Sequence, residues 1–316
     1  MDADPEDPCT VPEGTLLRDA GGASVQGGRA HQEDRYRILL PRDFPRTTGD
    51  QHAFFAVYDG HGSDKVSEHA SQHVHGLLMR RPEFGVGKYE EAIEAAIEEE
   101  DNLLLEGYRQ GIDAYAYSGA TVALCVVNLT AGIFVCANLG DSHVILADHN
   151  VRSNLPVEIR RLTVSHKPSV PSERSRIEEA GGTVNEATRT PRIGALNMSR
   201  TLGDLEYKDP INKSNDESIF RMRRRTTLAP PEERGDIVSR KPHFTRVPLQ
   251  SGHRYVLALT SDGVTDVADD YTIMQQIVQG YTDGLHAKEI SHKVASLSAD
   301  GKRSDNATLV TAFFES

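Results

Sequence analysis

The chain has 316 residues and 38% hydrophobic content, which is typical of a globular protein with one large domain or two small ones. Its 47 acidic residues outnumber its 35 basic residues, and the resulting net charge of −12 argues against bulk binding of nucleic acid. No apolar segment approaches the roughly 18 residues of a membrane span, so no membrane-spanning helix is expected.

The amino-terminal segment, residues 1–20, is polar and contains Pro5, Pro8 and Pro12, which predicts a flexible lead-in to the folded domain. It lacks the Arg-rich pattern of an organelle transit peptide. The three cysteines have no metal-ligand spacing and are typical of a reducing compartment. We therefore expect an intracellular protein, cytoplasmic or nuclear, and a mitochondrial one if an import sequence has been trimmed.

Strand-like and helix-like segments follow in blocks. Apolar and β-rich runs predict strands over residues 36–40, 54–58, 118–127, 133–138, 144–147, 158–163, 255–260 and 307–314. Apolar stripes and end signals predict helices over residues 65–80, 89–110, 173–180, 270–279 and 285–297. Because the two kinds of element do not alternate strictly, we expect an α+β fold of antiparallel sheets flanked by helices. No repeat or clean linker divides the chain, so residues 21–316 should form a single domain.

Residues 205 to about 245 interrupt this pattern and predict a long surface excursion. Its basic run, Arg221–Arg225, is open to three interpretations: a solvated face, a docking site for acidic or phosphorylated substrate segments, or, with Thr226 and Thr227, a target for a basophilic kinase.

Two helical features receive no chemical role from the sequence. The acidic run Glu98–Asp101 is predicted to face water. Three histidines of the helix over residues 65–80 are predicted to be solvated or packed; they are His69, His73 and His75.

Acidic residues occur where several predicted strands begin or end. Asp59 opens the sequence Asp-Gly-His-Gly directly after one strand, a pattern that by itself is as consistent with a plain turn as with a site. Other acids occupy similar positions: Glu33, Asp34, Asp141, Asp262 and Asp305. If these strand ends converge, two carboxylates about 4 Å apart repel by about 4 kcal/mol at an effective dielectric constant of about 20, so the group needs cations. All-oxygen ligation favours Mg²⁺ or Mn²⁺ over zinc.

Eight short motifs occur in order along nearly the whole chain. They are Arg29-x-x-x-Glu33-Asp34, Asp59-Gly-His-Gly62, Ser118-Gly-Ala-Thr121, Gly140-Asp-Ser142, Leu162-Thr-x-x-His-Lys-Pro168, Ser199-Arg-x-Leu-Gly-Asp204, Asp262-Gly-x-x-Asp266 and Asp305-Asn306. Each is weak alone, but the ordered set is hard to obtain by chance. Together they resemble the metal-dependent Ser/Thr protein phosphatases of the PP2C (PPM) family. The resemblance implies a central β-sandwich of two antiparallel sheets with α-helices on both outer faces, and a variable flap at the excursion.

The resemblance also implies a set of metal ligands for two Mg²⁺ or Mn²⁺ ions. Asp59 bridges the two ions, Glu33 and the Gly60 carbonyl complete one, and Asp262 and Asp305 complete the other. In many members Asp141 and Asp266, with Asp262, bind a weaker third ion.

Three further residues receive roles in hydrolysis of phosphoserine and phosphothreonine. Asp34 orients metal-bound water, which attacks phosphorus directly. Arg29 holds the phosphoryl oxygens, although a plain salt bridge to nearby acids is the alternative from the residues alone. His61 protonates the departing Ser or Thr oxygen.

The chain departs from the family pattern at three positions. Ser165 replaces an Asp before His-Lys-Pro, His143 replaces an Arg after Gly-Asp-Ser, and Thr265 replaces a Trp after Asp262. None is a predicted metal ligand. We expect a monomer that acts on phosphoprotein substrates. The alternatives are an inactive relative that only binds phosphoproteins and a two-metal phosphodiesterase.

Overall fold

The computed structural model of the chain describes residues 14–44, 49–153, 156–187, 189–214 and 228–316, and these form two antiparallel sheets. The first sheet contains β1 (Leu16–Val25), β6 (His143–Asn150), β7 (Glu158–Arg161), β10 (His253–Thr260) and β11 (Ala307–Glu315), in the spatial order β1-β11-β10-β6-β7. The second contains β2 (Arg35–Leu39), β3 (His52–His61), β4 (Gly119–Asn128), β5 (Ile133–Leu139) and β9 (His243–Pro248), in chain order. A two-residue strand, β8 (Leu202–Gly203), pairs with β4.

Helices cover the outer face of each sheet. The described helices are α1 (Lys65–Met79), α2 (Pro82–Gly85), α3 (Tyr89–Arg109), α4 (Ala114–Tyr117), α5 (Pro171–Glu179), α6 (Asp262–Thr265), α7 (Asp270–Thr282) and α8 (Ala287–Ser298). α1 and α3 pack on the second sheet, and α7 and α8 pack on the first. The predicted sandwich flanked by helices is therefore confirmed. Within the described ranges, no helix has both the length and the apolar character needed to cross a membrane.

The side chains of β3 explain why this strand reads as a continuous apolar run. Phe54, Ala56 and Tyr58 belong to the core beneath α1 and α3. Phe55 and Val57 point to the interior between the sheets, where the Phe55 ring lies 6.2 Å from that of Phe314 on β11. Both faces of β3 are buried, so the strand rigidly fixes the residues at its end.

The predicted lead-in is wrong for its last residues. β1 begins at Leu16 and pairs along its length with β11, so residues 16–20 belong to the sandwich. Gly21 is required at the centre of β1, because a Cβ there would lie 2.3 Å from the Lys288 backbone nitrogen of α8. Residues 1–13 lie outside the described residues.

The excursion predicted over residues 205–245 is a surface segment only in part. Tyr207, Ile237 and Val238 are buried and form a small core with Ile177 of α5. The end of the predicted excursion belongs to β9, which pairs with β5. The basic run Arg221–Arg225 and the neighbouring threonines lie outside the described residues.

The prediction that the Glu98–Asp101 run faces water is wrong for two of its residues. Glu100 and Asp101 are buried on the inner side of α3. Asp101 accepts a hydrogen bond from the Gly203 backbone N–H at 2.8 Å and pairs with the buried Lys208 at 2.5 Å. The positive charge that pairs with Asp101 therefore lies 107 residues further along the chain, at Lys208.

Candidate active site

The predicted metal-binding acids lie at one end of the sandwich, where strands of both sheets begin or end. Asp59 is among the last three residues of β3, and Asp262 begins α6 directly after β10. The other acids lie beside neighbouring strands: Glu33 and Asp34 before β2, Asp141 after β5 and Asp305 before β11. The charges of Asp34, Asp141, Asp262 and Asp305 all act on Asp59, so the structure brings these carboxylates together. Asp266, directly after α6, acts on Asp262.

Burial and mutual repulsion raise the pKa of several acids in this cluster. Burial is the largest cause for Asp59, and with the charge of Asp262 it holds the pKa well above the ordinary value. Burial and the charge of Asp141 raise the pKa of Asp262 to about 7. Burial raises the pKa of Asp34 to about 6, although the Thr308 hydroxyl donates a hydrogen bond to this carboxylate at 2.8 Å. The cluster has more negative charge than the surrounding protein neutralises, so it favours binding of protons or cations.

Close backbone approach orients two of the predicted oxygen ligands. A Cβ at Gly60 would lie 2.4 Å from the Glu33 carbonyl oxygen, so only glycine fits between β3 and the segment before β2. The Asn306 side chain holds that segment from the other side: its Oδ1 accepts the Glu33 N–H at 2.8 Å, and its Nδ2 donates to the carbonyls of Gln26 and His31. The sequence motif contains Asn306 but gave it no role.

Oxygen donors, tight spacing and excess negative charge together fit hard divalent cations. Lys167 is the internal cation of this cluster, and its Nζ donates to Asp141 Oδ2. Burial lowers the pKa of Lys167, but the charge of Asp141 outweighs burial and raises it. The second oxygen of Asp141 is buried without a hydrogen-bond partner among the described residues, so it is available to a cation.

His61 follows Asp59 by two residues and pairs with an acid that the sequence left without a role. Its Nε2 lies 2.8 Å from Asp204 Oδ2, which also accepts a hydrogen bond from the Thr201 hydroxyl at 2.6 Å. Burial lowers the pKa of His61, but the charge and hydrogen bond of Asp204 outweigh burial and raise it. Asp204 has a φ of 49°, a left-handed conformation that no other described non-glycine residue adopts. A Cβ at Gly119 would lie 2.2 Å from Asp204 Oδ2, so the glycine leaves room for the pair.

Arg29 lies at the exposed rim of the cluster. Its guanidinium donates to Asp305 Oδ2, and 57% of its side chain is exposed. The salt bridge weighed from the sequence is thus present, and it connects Arg29 to a predicted metal ligand. Its contact with phosphate stays a prediction.

Two of the departures from the family pattern contact each other. The Ser165 hydroxyl lies 3.2 Å from His143 Nε2, and Thr163 Oγ1 lies 2.9 Å from His143 Nδ1. Burial and the charge of Arg161 lower the pKa of His143 to about 4, so the imidazole is neutral near pH 7. A neutral pair therefore occupies the two positions where the family pattern has Arg and Asp. The third departure, Thr265, lies in α6.

The fold and the cluster define a class of protein: a sandwich with a cation-binding acidic site at one end. Comparisons with known proteins agree. The family model described as Protein phosphatase 2C matches residues 18–307. The chain is 31% identical over 297 residues to a probable protein phosphatase 2C of Caenorhabditis elegans, covering 92% of this chain and 72% of that protein. It is 28% identical over 269 residues to protein phosphatase 2C homolog 2 of Schizosaccharomyces pombe, covering 85% of this chain and 63% of that protein.

A solved structure has the same fold. The serine-threonine phosphatase 2C from Toxoplasma gondii matches with a TM-score of 0.72 and 22% identity, over 95% of this chain and 99% of that chain. The chain belongs to the protein phosphatase 2C family of metal-dependent Ser/Thr protein phosphatases. It spans less than two thirds of the length of some of its curated relatives.

Proposed function

We propose that this chain hydrolyses phosphoserine and phosphothreonine in proteins with Mg²⁺ or Mn²⁺ as cofactor. The observation that carries the proposal is the group of buried acids with raised pKa values, Asp34, Asp59 and Asp262, beside the His61–Asp204 pair. Buried acids without a paired positive charge destabilise the folded protein unless bound cations neutralise them. Family membership supports this choice, and the presence of an acid at every position predicted to supply a carboxylate ligand argues against an inactive relative.

We assign the oxygen ligands as the sequence predicts. One ion would be held by Asp59, Glu33 and the Gly60 carbonyl, and a second by Asp59, Asp262 and Asp305. Asp141, through its second oxygen, and Asp266 would hold a weaker third with Asp262. When bound, such ions lower the pKa of a water molecule and neutralise phosphoryl charge.

The protein's own groups supply orientation and a proton. Asp34 is buried beside Asp59 and accepts a hydrogen bond from the Thr308 hydroxyl, and this position within the cluster suits it to orient water. His61 keeps its proton more readily than a free imidazole because of Asp204, which suits donation to the departing Ser or Thr oxygen. Asp204 acts through His61 and is a positioning residue. Arg29, exposed at the rim, would exchange Asp305 for phosphoryl oxygens.

The decisive experiment measures phosphate release from a phosphothreonine peptide with Mn²⁺ and again after EDTA. We expect turnover that depends on Mn²⁺. Metal-dependent binding of the peptide without release would instead establish the inactive relative. Faster hydrolysis of bis(p-nitrophenyl) phosphate than of the phosphopeptide would favour the phosphodiesterase.

Two expectations complete the proposal. The cysteines among the described residues, Cys125 and Cys136, are buried free thiols, which supports a reducing intracellular compartment. A monomer is expected, and light scattering of the full chain tests it.

A further inference from the structure

A second group of ligating side chains lies between α1 and α3, formed by His69, His73 and Glu100. One donor atom from each residue lies within 4.8 Å of the donor atoms of the other two. We propose that these three residues form a binding site for Zn²⁺ or a similar divalent metal that prefers nitrogen ligands. The inference does not depend on the proposed phosphatase activity, because none of these residues belongs to the acid cluster.

The spacing on α1 brings the two imidazoles to one face. His69 and His73 are four residues apart, and their ring centroids are 4.0 Å apart in a stacked arrangement. Histidines at this helical spacing can bind one metal ion together. Glu100 approaches from α3, so an ion here would connect the two helices that cover the second sheet.

Glu100 supplies the observation that points to a ligand. The residue is completely buried, and one carboxylate oxygen, Oε1, lies 2.6 Å from His69 Nδ1. The other oxygen, Oε2, is buried and has no hydrogen-bond partner among the described residues. His69 is the only ion-pair partner of Glu100 in the same ranges. A buried carboxylate with an unused oxygen is costly, and a cation would satisfy it.

His73 has the orientation expected of a metal ligand. Its Nδ1 lies 2.8 Å from the His69 carbonyl oxygen, which can only accept, so Nδ1 is the donor and Nε2 is the nitrogen that offers a lone pair in the neutral ring. Metal-binding histidines commonly donate their second nitrogen to a carbonyl in this way. His73 is exposed, so an ion can enter from solvent.

The ligand chemistry separates this site from the acid cluster. Two imidazoles and one carboxylate favour Zn²⁺ or Co²⁺, whereas oxygen ligands alone favour Mg²⁺ or Mn²⁺. Three protein ligands leave a fourth position for water. Excess Mg²⁺ can therefore occupy the acid cluster while Co²⁺ is offered to the histidines.

The test is a Co²⁺ titration of the full chain in excess Mg²⁺, followed by visible absorption and then by displacement with Zn²⁺. We expect one equivalent of Co²⁺ to give the absorption of a four- or five-coordinate site with nitrogen ligands. His73→Gln should weaken binding by at least about tenfold. His75→Gln is the matched control, because His75 lies on the same helix but contacts Arg37 instead, and it should bind Co²⁺ like the wild type.

Two outcomes would overturn the proposal. One is the absence of a nitrogen-ligand spectrum in the wild type, which would leave His69 and Glu100 as a simple ion pair. The other is a spectrum that survives in His73→Gln and disappears in Asp59→Asn, which would assign the ion to the acid cluster. His73 is exposed, so its variant should fold; Glu100→Gln is a second variant that removes the ligand charge and should also abolish the spectrum.

Discussion

Buried acids occur in two kinds of surroundings in this molecule. At the strand ends, Asp59 and Asp262 have raised pKa values and face mainly other acids. On the helical side, Asp101 pairs with Lys208, and Glu173 of α5 accepts hydrogen bonds from Arg200 and from the Ser199 hydroxyl.

The pKa values report this difference directly. Burial works to raise the pKa of Glu173, but the hydrogen bonds from Arg200 and Ser199 outweigh burial and lower it to about 2. For Asp262, burial and the charges of neighbouring acids instead raise the pKa to about 7. Asp101 and Glu173 thus have cations of their own, whereas Asp59 and Asp262 are surrounded mainly by other acids, which is typical of functional sites.

The largest expected effect comes from replacing Asp59, the central acid of the cluster at the strand ends. Asp59→Asn should abolish phosphopeptide hydrolysis and Mn²⁺ binding together, since a neutral amide cannot replace a shared carboxylate. Calorimetry and phosphate release measure the two effects. Asp283→Asn, an exposed change directly after α7, is the control. Mn²⁺ affinity in Asp59→Asn equal to that of the control would mean that the ligands are assigned wrongly.

Removing the cation that pairs with a buried acid on the helical side should lower stability instead. Lys208→Met leaves Asp101 buried with Arg240, at 3.7 Å, as its one remaining cation among the described residues, and should lower the free energy of unfolding by about 3 kcal/mol. Lys213→Met breaks an exposed pair with Asp209 and should cost less than about 1 kcal/mol. Urea denaturation compares them, and equal costs would show that Lys208 does not stabilise the buried charge of Asp101.

Asp204 differs from both kinds of acid, because it is buried and pairs with His61, a residue of the candidate site. Asp204→Asn should lower kcat for a phosphopeptide by about 100-fold, with a smaller loss for p-nitrophenyl phosphate, whose leaving group needs no proton. Asp209→Asn, at a nearby exposed pair, is the control. Equal losses on both substrates would show that Asp204 only supports the fold.

The last expected effect is gradual and is a dependence on pH. Protons compete with Mn²⁺ for the predicted ligand Asp262, whose pKa is about 7, and they also neutralise the neighbouring Asp34, whose pKa is about 6. The stability difference between the Mn²⁺-treated and EDTA-treated protein should therefore shrink as pH falls from about 8 to about 5, by up to about 1.4 kcal/mol per pH unit for each proton bound. Histidines whose pKa burial lowers, such as His166, destabilise both forms alike as the pH falls. A constant difference over this range would contradict the raised pKa values.

Long apolar runs and periodic stripes predicted antiparallel sheets flanked by helices, because they mark the buried elements, and the family resemblance supplied the sandwich. The sequence missed β1 and β9, which are edge strands with partly exposed residues. The repeated position of acids at strand ends indicated a shared site only on the condition that these ends converge, and the resemblance supplied the ligand set.

Contacts between distant segments were not predictable in this way. Asn306 binds Glu33 across 273 residues, and Asp101 reaches Lys208 across 107. A role for Asp204 depends on one left-handed backbone position that no periodic pattern indicates.

The contact between His143 and Ser165 restricts how this chain could have diverged from its relatives. Changing His143 alone to Arg would introduce a buried guanidinium with no acid at position 165 to receive it. Changing Ser165 alone to Asp would place a carboxylate beside the imidazole of His143, which can take up a proton and pair with it, as His61 does with Asp204. The two changes should therefore be tolerated in one order and not in the other, and a double-mutant cycle can measure the coupling between the two positions.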